Sequence, residues 1–275
     1  MSGRAIDTGT ETLQARVEDG VAYLVMNRPE RRNALSDEMF RGMAAALREA
    51  ETASDVRCLV LTGAGGAFCS GGDVKGMAAG ANRGPGVTLD ERIHRQRLSQ
   101  RETAGRLYRM PKPVIASLPG PAAGAGLSLA LACDLRIAAE SALLTTAFAK
   151  VGFSGDYGGS FFLTHLVGSA RARELYYLSD RIDAKHAERL GLVNRVVPDA
   201  ALADETRALA QRLASGATVA FRYMKENLNR AAEGASAEEC LDLEATHHVH
   251  TGLTEDHREA AQAFVEKRTP TFKGR

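Results

Sequence analysis

Hydrophobic positions along the chain alternate between short continuous runs and helical stripes. VAYLVM (Val21 to Met26), CLVLTG (Cys58 to Gly63) and VIASL (Val114 to Leu118) are apolar runs of strand length. Between the first two, Ser36 precedes DEMFRGMAAALREAE, where Met39, Phe40, Met43 and Leu47 recur at helical spacing. That pattern predicts an amphipathic helix with Ser36 as its N-cap. A second, charged helix is predicted over Leu89 to Tyr108, ending before Pro111. AAGAGLSLALACD predicts a buried helix that begins in a glycine-rich loop, and Leu135 to Ala138 a strand. Beyond Asp156 the patterns are mostly helical: GGSFFLTHLVG, SARARELYYLS, DAKHAERLG and ADETRALAQRLAS. Strands and helices followed by helices alone predict an α/β core over residues 1–200 and a helical region over residues 201–275. No internal repeat marks a solenoid. GANRGPG (Gly80 to Gly86) has the composition of the most flexible segment.

Composition narrows the function classes. In 275 residues, 44% are hydrophobic, enough for a sizeable core. Lys and Arg number 35 against 34 Asp and Glu, so the net charge of +1 supplies no global field for nucleic acid or an anionic membrane. Any anionic ligand must be held by local clusters. Cys58, Cys69, Cys133 and Cys240 are widely spaced with no CxxC pair, which fits a reducing, cytoplasmic setting better than a disulfide framework or structural zinc. The N-terminal MSGRAIDTGTETLQ has no apolar stretch of signal-peptide length. Val114 to Cys133 is an uncharged run of membrane-spanning length, but Pro119, Gly120, Pro121, Gly124 and Gly126 break it into a turn between strand and helix.

Two loops carry the candidate chemistry. GAGGAFCSGGDVKGM (Gly63 to Met77) and LPGPAAGAGLSLA (Leu118 to Ala130) each follow a predicted strand, and glycine-rich strand-to-helix turns let backbone N–H groups approach a ligand oxygen. Neither matches GxGxxG, and both a P-loop lysine and a GxSxG elbow are missing. A third stretch, KVGFSGDYGGS, holds one carboxylate, Asp156, among glycines, serines and aromatics. As a cap it would serve the helix beginning at Gly158, and as a base it would serve a proton transfer. HHVH (His247, His248, His250) lacks the spacing of a single-face metal site, so no metal is expected. His94, among charges, fits the surface.

Taken together these segments resemble the enoyl-CoA hydratase/isomerase (crotonase) family. NRPERRNALSDEM is similar to its early coenzyme A loop, AFCSGGDVKGM to its first oxyanion-hole segment, and KPVIASLPGPAAGAGLSLALACDLRIAAE to its second. ERLGLVNRVVP and AFVEKR resemble later segments in the same order. The resemblance implies a crotonase-like spiral of ββα turns with a C-terminal helical trimerisation region, as a trimer or a dimer of trimers. It implies an acyl-CoA thioester substrate, with coenzyme A part of that substrate and no separate cofactor. By matching positions, the backbone N–H groups of Ser70 and Ala125 form the oxyanion hole. Arg31, Arg32, Ala34 and Lys75 receive coenzyme A, and Phe264 and Lys267 complete the site from a neighbouring subunit.

The resemblance also exposes a departure. Hydratases of the family use two glutamates, and those positions hold Ser128 and Phe148 here. Hydration needs one group to activate water and another to protonate carbon, so losing both disfavours it. Asp156 stands where single-aspartate isomerases of the family carry their acid, with Phe148 as an apolar wall that would raise its pKa. The expectation is double-bond isomerisation of an enoyl-CoA with Asp156 as proton shuttle. Hydration or other enolate chemistry, or a silent acyl-CoA-binding scaffold, are the alternatives. Aryl-CoA dehalogenases pair a similar aspartate with a tryptophan, and this chain has no Trp. Naphthoyl-CoA synthases resemble SARARELYYLSDRIDAKHAERLGLVNRVVP and EKRTPTFKGR, but order Ser, Asp and Tyr differently in the turn.

Overall fold

The computed structural model describes residues 3–73 and 86–275. The predicted apolar runs form the centre of a seven-stranded sheet: β3 (Val21–Met26), β4 (Cys58–Gly63), β5 (Val114–Leu118) and β7 (Leu135–Ala139) lie side by side and parallel. β10 (Arg195–Val197) extends that parallel edge. On the other side β2 (Leu13–Glu18) and β1 (Gly3–Ala5) add antiparallel strands. β2, with sequence LQARVE, alternates buried and exposed residues strictly, the pattern of a strand with one face on the core.

A second line of pairing runs beside the large sheet. β6 (Ala122–Ala123), β8 (Leu143–Thr145) and β9 (Ile182–Asp183) form a small sheet, and single bridges Leu35↔Gly72 and Cys69↔Ala122 prolong it. Each turn of chain therefore gives one strand to the large sheet, one short segment to the small one, and then a helix. This is a spiral of ββα turns. The first such helix, Asp37–Thr52, starts where expected, with the Ser36 side chain accepting from Met39 N. It buries Met39, Met43 and Leu47, each contributing about 1.5–3 kcal/mol of apolar burial.

Two helices depart from the sequence expectation. Leu89 to Tyr108 is two helices, Leu89–Glu102 and Ala104–Arg109, split at Thr103 (φ −115°, ψ −89°). Thr103 is fully buried and bonds back to the Ser99 carbonyl through its hydroxyl (2.7 Å). Gly159–Leu178 bends at Gly168 (φ 73°, ψ 163°), the point that separates GGSFFLTHLVG from SARARELYYLS.

After β10 the described residues are helical and contain no strand: Leu202–Ala214, Thr218–Ala232, Ala237–Gly252 and Glu255–Glu266. The first sets Ala210 and Ala214 against Val21, Val60 and Ile115. Arg57 holds the chain end to the core, donating to the carbonyls of Gly216 (2.7 Å) and Phe272 (3.0 Å). All four cysteines are free thiols. Among the described residues no helix is long and apolar enough to cross a membrane.

Candidate active site

The spiral lays the two glycine loops against each other. Cys69 N donates to the Pro121 carbonyl (3.1 Å) and Ala123 N to the Cys69 carbonyl (2.9 Å). A Cβ on Gly126 would stand 2.6 Å from Cys69 O, so this approach needs glycine. The early loop is locked to the first of these loops by Asn33, which is fully buried. Its Oδ1 accepts from Arg28 N (2.9 Å), and its Nδ2 donates to the Ala64 and Ala67 carbonyls (both 2.8 Å). Arg28, which sequence reasoning passed over, donates to the Ala34 carbonyl (2.6 Å) and pairs with Asp73 (3.2 Å).

This packing corrects one expected role. Ser70 N donates to the Arg32 carbonyl at 3.0 Å and its hydroxyl to the Arg31 carbonyl at 3.2 Å, so Ser70 clamps the early loop and has no free amide for an oxyanion. Two residues on, Gly72 N has no hydrogen-bond acceptor among the described residues, nor has Ala125 N at the first turn of the helix Ala125–Leu131. Gly71 (φ 90°) breaks the extended backbone between Ser70 and Gly72, and a Cβ placed on it would lie 3.7 Å from Ala125 N. The helix N-terminus adds its partial positive charge at Ala125. The motif located the segment; only the backbone shows which of its amides is free.

Asp156 lies beside this pair of loops. The turn that holds it is fixed at both ends: Tyr157, left-handed at φ 49°, donates its N–H to Gln100 Oε1 (2.7 Å) and stacks on Phe40 at 4.7 Å. Tyr157 is thus a packing residue. Gly155 (φ 110°) could carry no side chain, since a Cβ would meet the Tyr176 ring at 2.9 Å. The helix after the turn has Gly158 as its N-cap with no side-chain cap bond, which removes the cap-only reading of Asp156. Instead Asp156 Oδ1 is buried with no hydrogen-bond partner among the described residues. Burial pushes the Asp156 carboxyl up to about 6, because a carboxylate stripped of water and given no donor favours its neutral form. Burial also lifts the Cys69 thiol up to about 12, and the Asp156 charge adds to that.

Tyr176 packs against Gly155 in the Asp156 turn, with Ser128 near the start of the following helix and Phe148 against the Tyr176 ring. Phe148 and Ser128 are both buried, and the Phe148 ring stacks on Tyr176 (5.7 Å, 21°). Ser128 Oγ donates only to the Gly124 carbonyl (3.3 Å). A Cβ on Gly159 would fall 2.4 Å from Ser128 Oγ and 2.7 Å from the Tyr176 hydroxyl. Tyr176 was not singled out by its sequence. Its approach depends on bonds that fold the Phe148 turn onto the end of its helix: Thr146 Oγ1 to the Leu175 carbonyl (2.7 Å) and Ala149 N to Ser179 Oγ (3.3 Å).

The remaining expected residues are placed less centrally. Arg31 and Arg32 are exposed, and their guanidinium groups make no ion pair among the described residues, while Ala34 is buried beneath them. Lys75 lies outside the described residues, as does most of the Gly80 to Gly86 segment. Phe264 is 86% exposed and Lys267 is exposed at the left-handed end of its helix; neither side chain has a hydrogen bond, ion pair or ring contact among the described residues. His94 is exposed. His247 is spent on Asn227 Oδ1 (2.6 Å) and the Tyr223 ring. A separate cavity of about 430 Å³, lined by Phe161, Phe162, Met224 and Lys225 among others, contains none of the expected site residues.

A family model described as enoyl-CoA hydratase/isomerase matches residues 16–275. The 1,2-epoxyphenylacetyl-CoA isomerase of Escherichia coli (strain K12) is 39% identical, covering 96% of this chain and 99% of its own. Among solved structures, the enoyl-CoA hydratase of Bacillus anthracis superposes with a TM-score of 0.88 at 33% identity, over 96% of this chain and 100% of that one. The enoyl-CoA hydratase of Polaromonas sp. JS666 does so with a TM-score of 0.85 at 34% identity, over 94% and 99%. The crotonase-like fold read from the sequence is the fold of this protein, and the chain belongs to the enoyl-CoA hydratase/isomerase family.

Proposed function

We propose that this enzyme isomerises the double bond of an enoyl-CoA thioester, with Asp156 as its single proton carrier. The Asp156 carboxylate takes the α proton of a 3-enoyl-CoA; the electron pair of the broken C–H bond delocalises onto the thioester oxygen. Gly72 N–H and Ala125 N–H donate to that oxygen as its charge develops, where preorganised donors act most strongly. Protonated Asp156 then returns the proton to the γ carbon, the thioester carbonyl re-forms, and the double bond comes to lie between the α and β carbons. The observation that supports this is the buried, unpartnered Oδ1 of Asp156, whose pKa of about 6 suits a group that must be base and then acid near neutral pH.

Ser128 and Phe148 argue against efficient hydration, since neither can deprotonate a water. Arg31 and Arg32, whose guanidinium groups make no ion pair among the described residues, offer charge for coenzyme A phosphates. Leu228, Leu241, Leu253, Phe264 and Val265 stand exposed on the C-terminal helices, which supports a trimer or dimer of trimers in which Phe264 and Lys267 reach a neighbouring site. Free thiols throughout support action in the reducing cytoplasm.

The test is a paired assay of wild type and Asp156→Asn: isomerisation of a 3-enoyl-CoA and hydration of a 2-enoyl-CoA. Isomerisation that is lost in Asp156→Asn supports the reading. Good hydration by wild type that Asp156→Asn retains would sink it, and tight binding of both thioesters without turnover would favour a scaffold.

A further inference from the structure

Three buried polar side-chain atoms lack a partner among the described residues: Arg106 Nε, Asp156 Oδ1 and the Tyr176 hydroxyl. Arg106 already pairs with Glu51 and Glu102 on the far side of the core. The other two belong to neighbouring side chains, close enough for the Asp156 charge to act on the Tyr176 phenol. Tyr176 abuts Gly155 and Gly159, which flank Asp156 in the chain, and its hydroxyl and Ser128 Oγ would both contact a Cβ placed on Gly159. Leaving a buried hydroxyl unsatisfied costs about 1–3 kcal/mol, so such a group calls for an explanation in what binds there.

From this juxtaposition we propose that Tyr176 is a specificity-determining residue: its hydroxyl and the Asp156 carboxyl together hold one oxygen atom carried by the acyl chain of the substrate. This rests on Asp156 facing the acyl group, as in the function proposed above. A plain hydrocarbon chain would leave both polar atoms without partners. An epoxide, hydroxyl or keto oxygen beyond the α carbon accepts from the Tyr176 O–H, and a protonated Asp156 can donate to the same atom. The phenol cannot swing away, because its ring stacks on Phe148 and its backbone is held by Ser179 Oγ donating to the Tyr176 carbonyl (3.0 Å). Burial, with the Asp156 charge adding to it, pushes the Tyr176 phenol up to about 12, so it remains a donor throughout the neutral range. An oxygen there could also come from water, and the experiment separates the two sources.

Binding is measured by calorimetry for a 3-enoyl-CoA and its chain-matched 3,4-epoxyacyl-CoA, using wild type, Tyr176→Phe and Asp156→Asn. Tyr176→Phe keeps the ring that stacks on Phe148, and thermal unfolding checks that it folds; Tyr176→Met serves if it does not. The expected result is a wild-type preference for the epoxide of roughly tenfold or more, the size of one buried hydrogen bond, collapsing toward parity in either Tyr176 variant. Equal affinity for the two thioesters in wild type, or a preference that survives loss of the hydroxyl, overturns the proposal. So does hydration of a 2-enoyl-CoA by wild type that disappears in Tyr176→Phe while the binding ratio stays fixed, because the oxygen then belongs to water. Asp156→Asn keeps the two ideas apart: if it still isomerises, the proton-shuttle reading fails, yet the Tyr176-dependent binding ratio remains a separate result.

Discussion

Asp134 and Asp156 are both carboxylates removed from water, and they are treated in opposite ways. Asp134 Oδ2 accepts from Val114 N (2.7 Å) and from Lys225 Nζ (2.9 Å), and Lys225 donates again to the Leu107 carbonyl (3.1 Å). Those bonds tie the helix Thr218–Ala232 to the end of β5. Asp156 sits in a glycine turn against Tyr176, with Oδ1 unpartnered among the described residues. A buried charge with its partners supplied serves the fold. A buried carboxyl deprived of partners costs stability, and it persists where a ligand or a reaction uses it.

The sharpest way to break this contrast is to neutralise each acid. Asp156→Asn should lower isomerisation about 10²–10⁴-fold, the usual weight of a general base, with the far-UV spectrum and oligomeric state unchanged. Asp134→Ala should instead destabilise the protein by about 3–5 kcal/mol in urea unfolding, because it leaves Lys225 buried and unpaired. A loss of stability in Asp156→Asn comparable to that of Asp134→Ala would erase the distinction.

pH sharpens it further. The folded-state pKa of Asp156 is raised from 3.8 to about 6, so the folded protein binds the extra proton between those values. Its stability is therefore fully present below pH 4 and is lost as pH rises through 6. Across that shift the penalty on the charged form is of order 3 kcal/mol. Asp156→Asn should accordingly be more stable than wild type by about 1–3 kcal/mol at pH 8, with no advantage at pH 4, as read by denaturant midpoints. The same shift places the acid limb of wild-type kcat/KM near pH 6. The smallest effect is expected of Ser70→Ala: it deletes the bond to the Arg31 carbonyl and leaves the amide in place, so it should cost about 1 kcal/mol or less and alter turnover little.

How far these features were legible depended on whether they were local. VAYLVM, CLVLTG and VIASL announce central strands because a strand buried on both faces has no polar positions to confuse it with a helix face. Ser36 announces its helix because an N-cap is a contact between residues three apart. The break at Thr103 was invisible, since it depends on a buried threonine whose hydroxyl donates to the Ser99 carbonyl within an otherwise helical pattern. In the first glycine loop the motif pointed to Ser70, but its amide donates to the Arg32 carbonyl while that of Gly72 has no acceptor among the described residues, a tertiary fact. Tyr176 was missed for the same reason. Nothing in SARARELYYLS marks it, and its meeting with Asp156 requires the bend at Gly168 and the Thr146 and Ser179 bonds. Asp156 itself could be singled out because an acid in a glycine turn has few structural uses.

The central claim is that one buried carboxyl carries the same proton from the α to the γ carbon, and isotope transfer tests it most directly. A 3-enoyl-CoA deuterated at the α carbon is converted in ordinary water and the product read by mass spectrometry and NMR. With a single base shielded from solvent, a measurable share of the deuterium should appear at the γ carbon in wild type, and product formation should cease in Asp156→Asn. A γ carbon carrying only solvent hydrogen, or label transfer that persists in Asp156→Asn, would contradict the account.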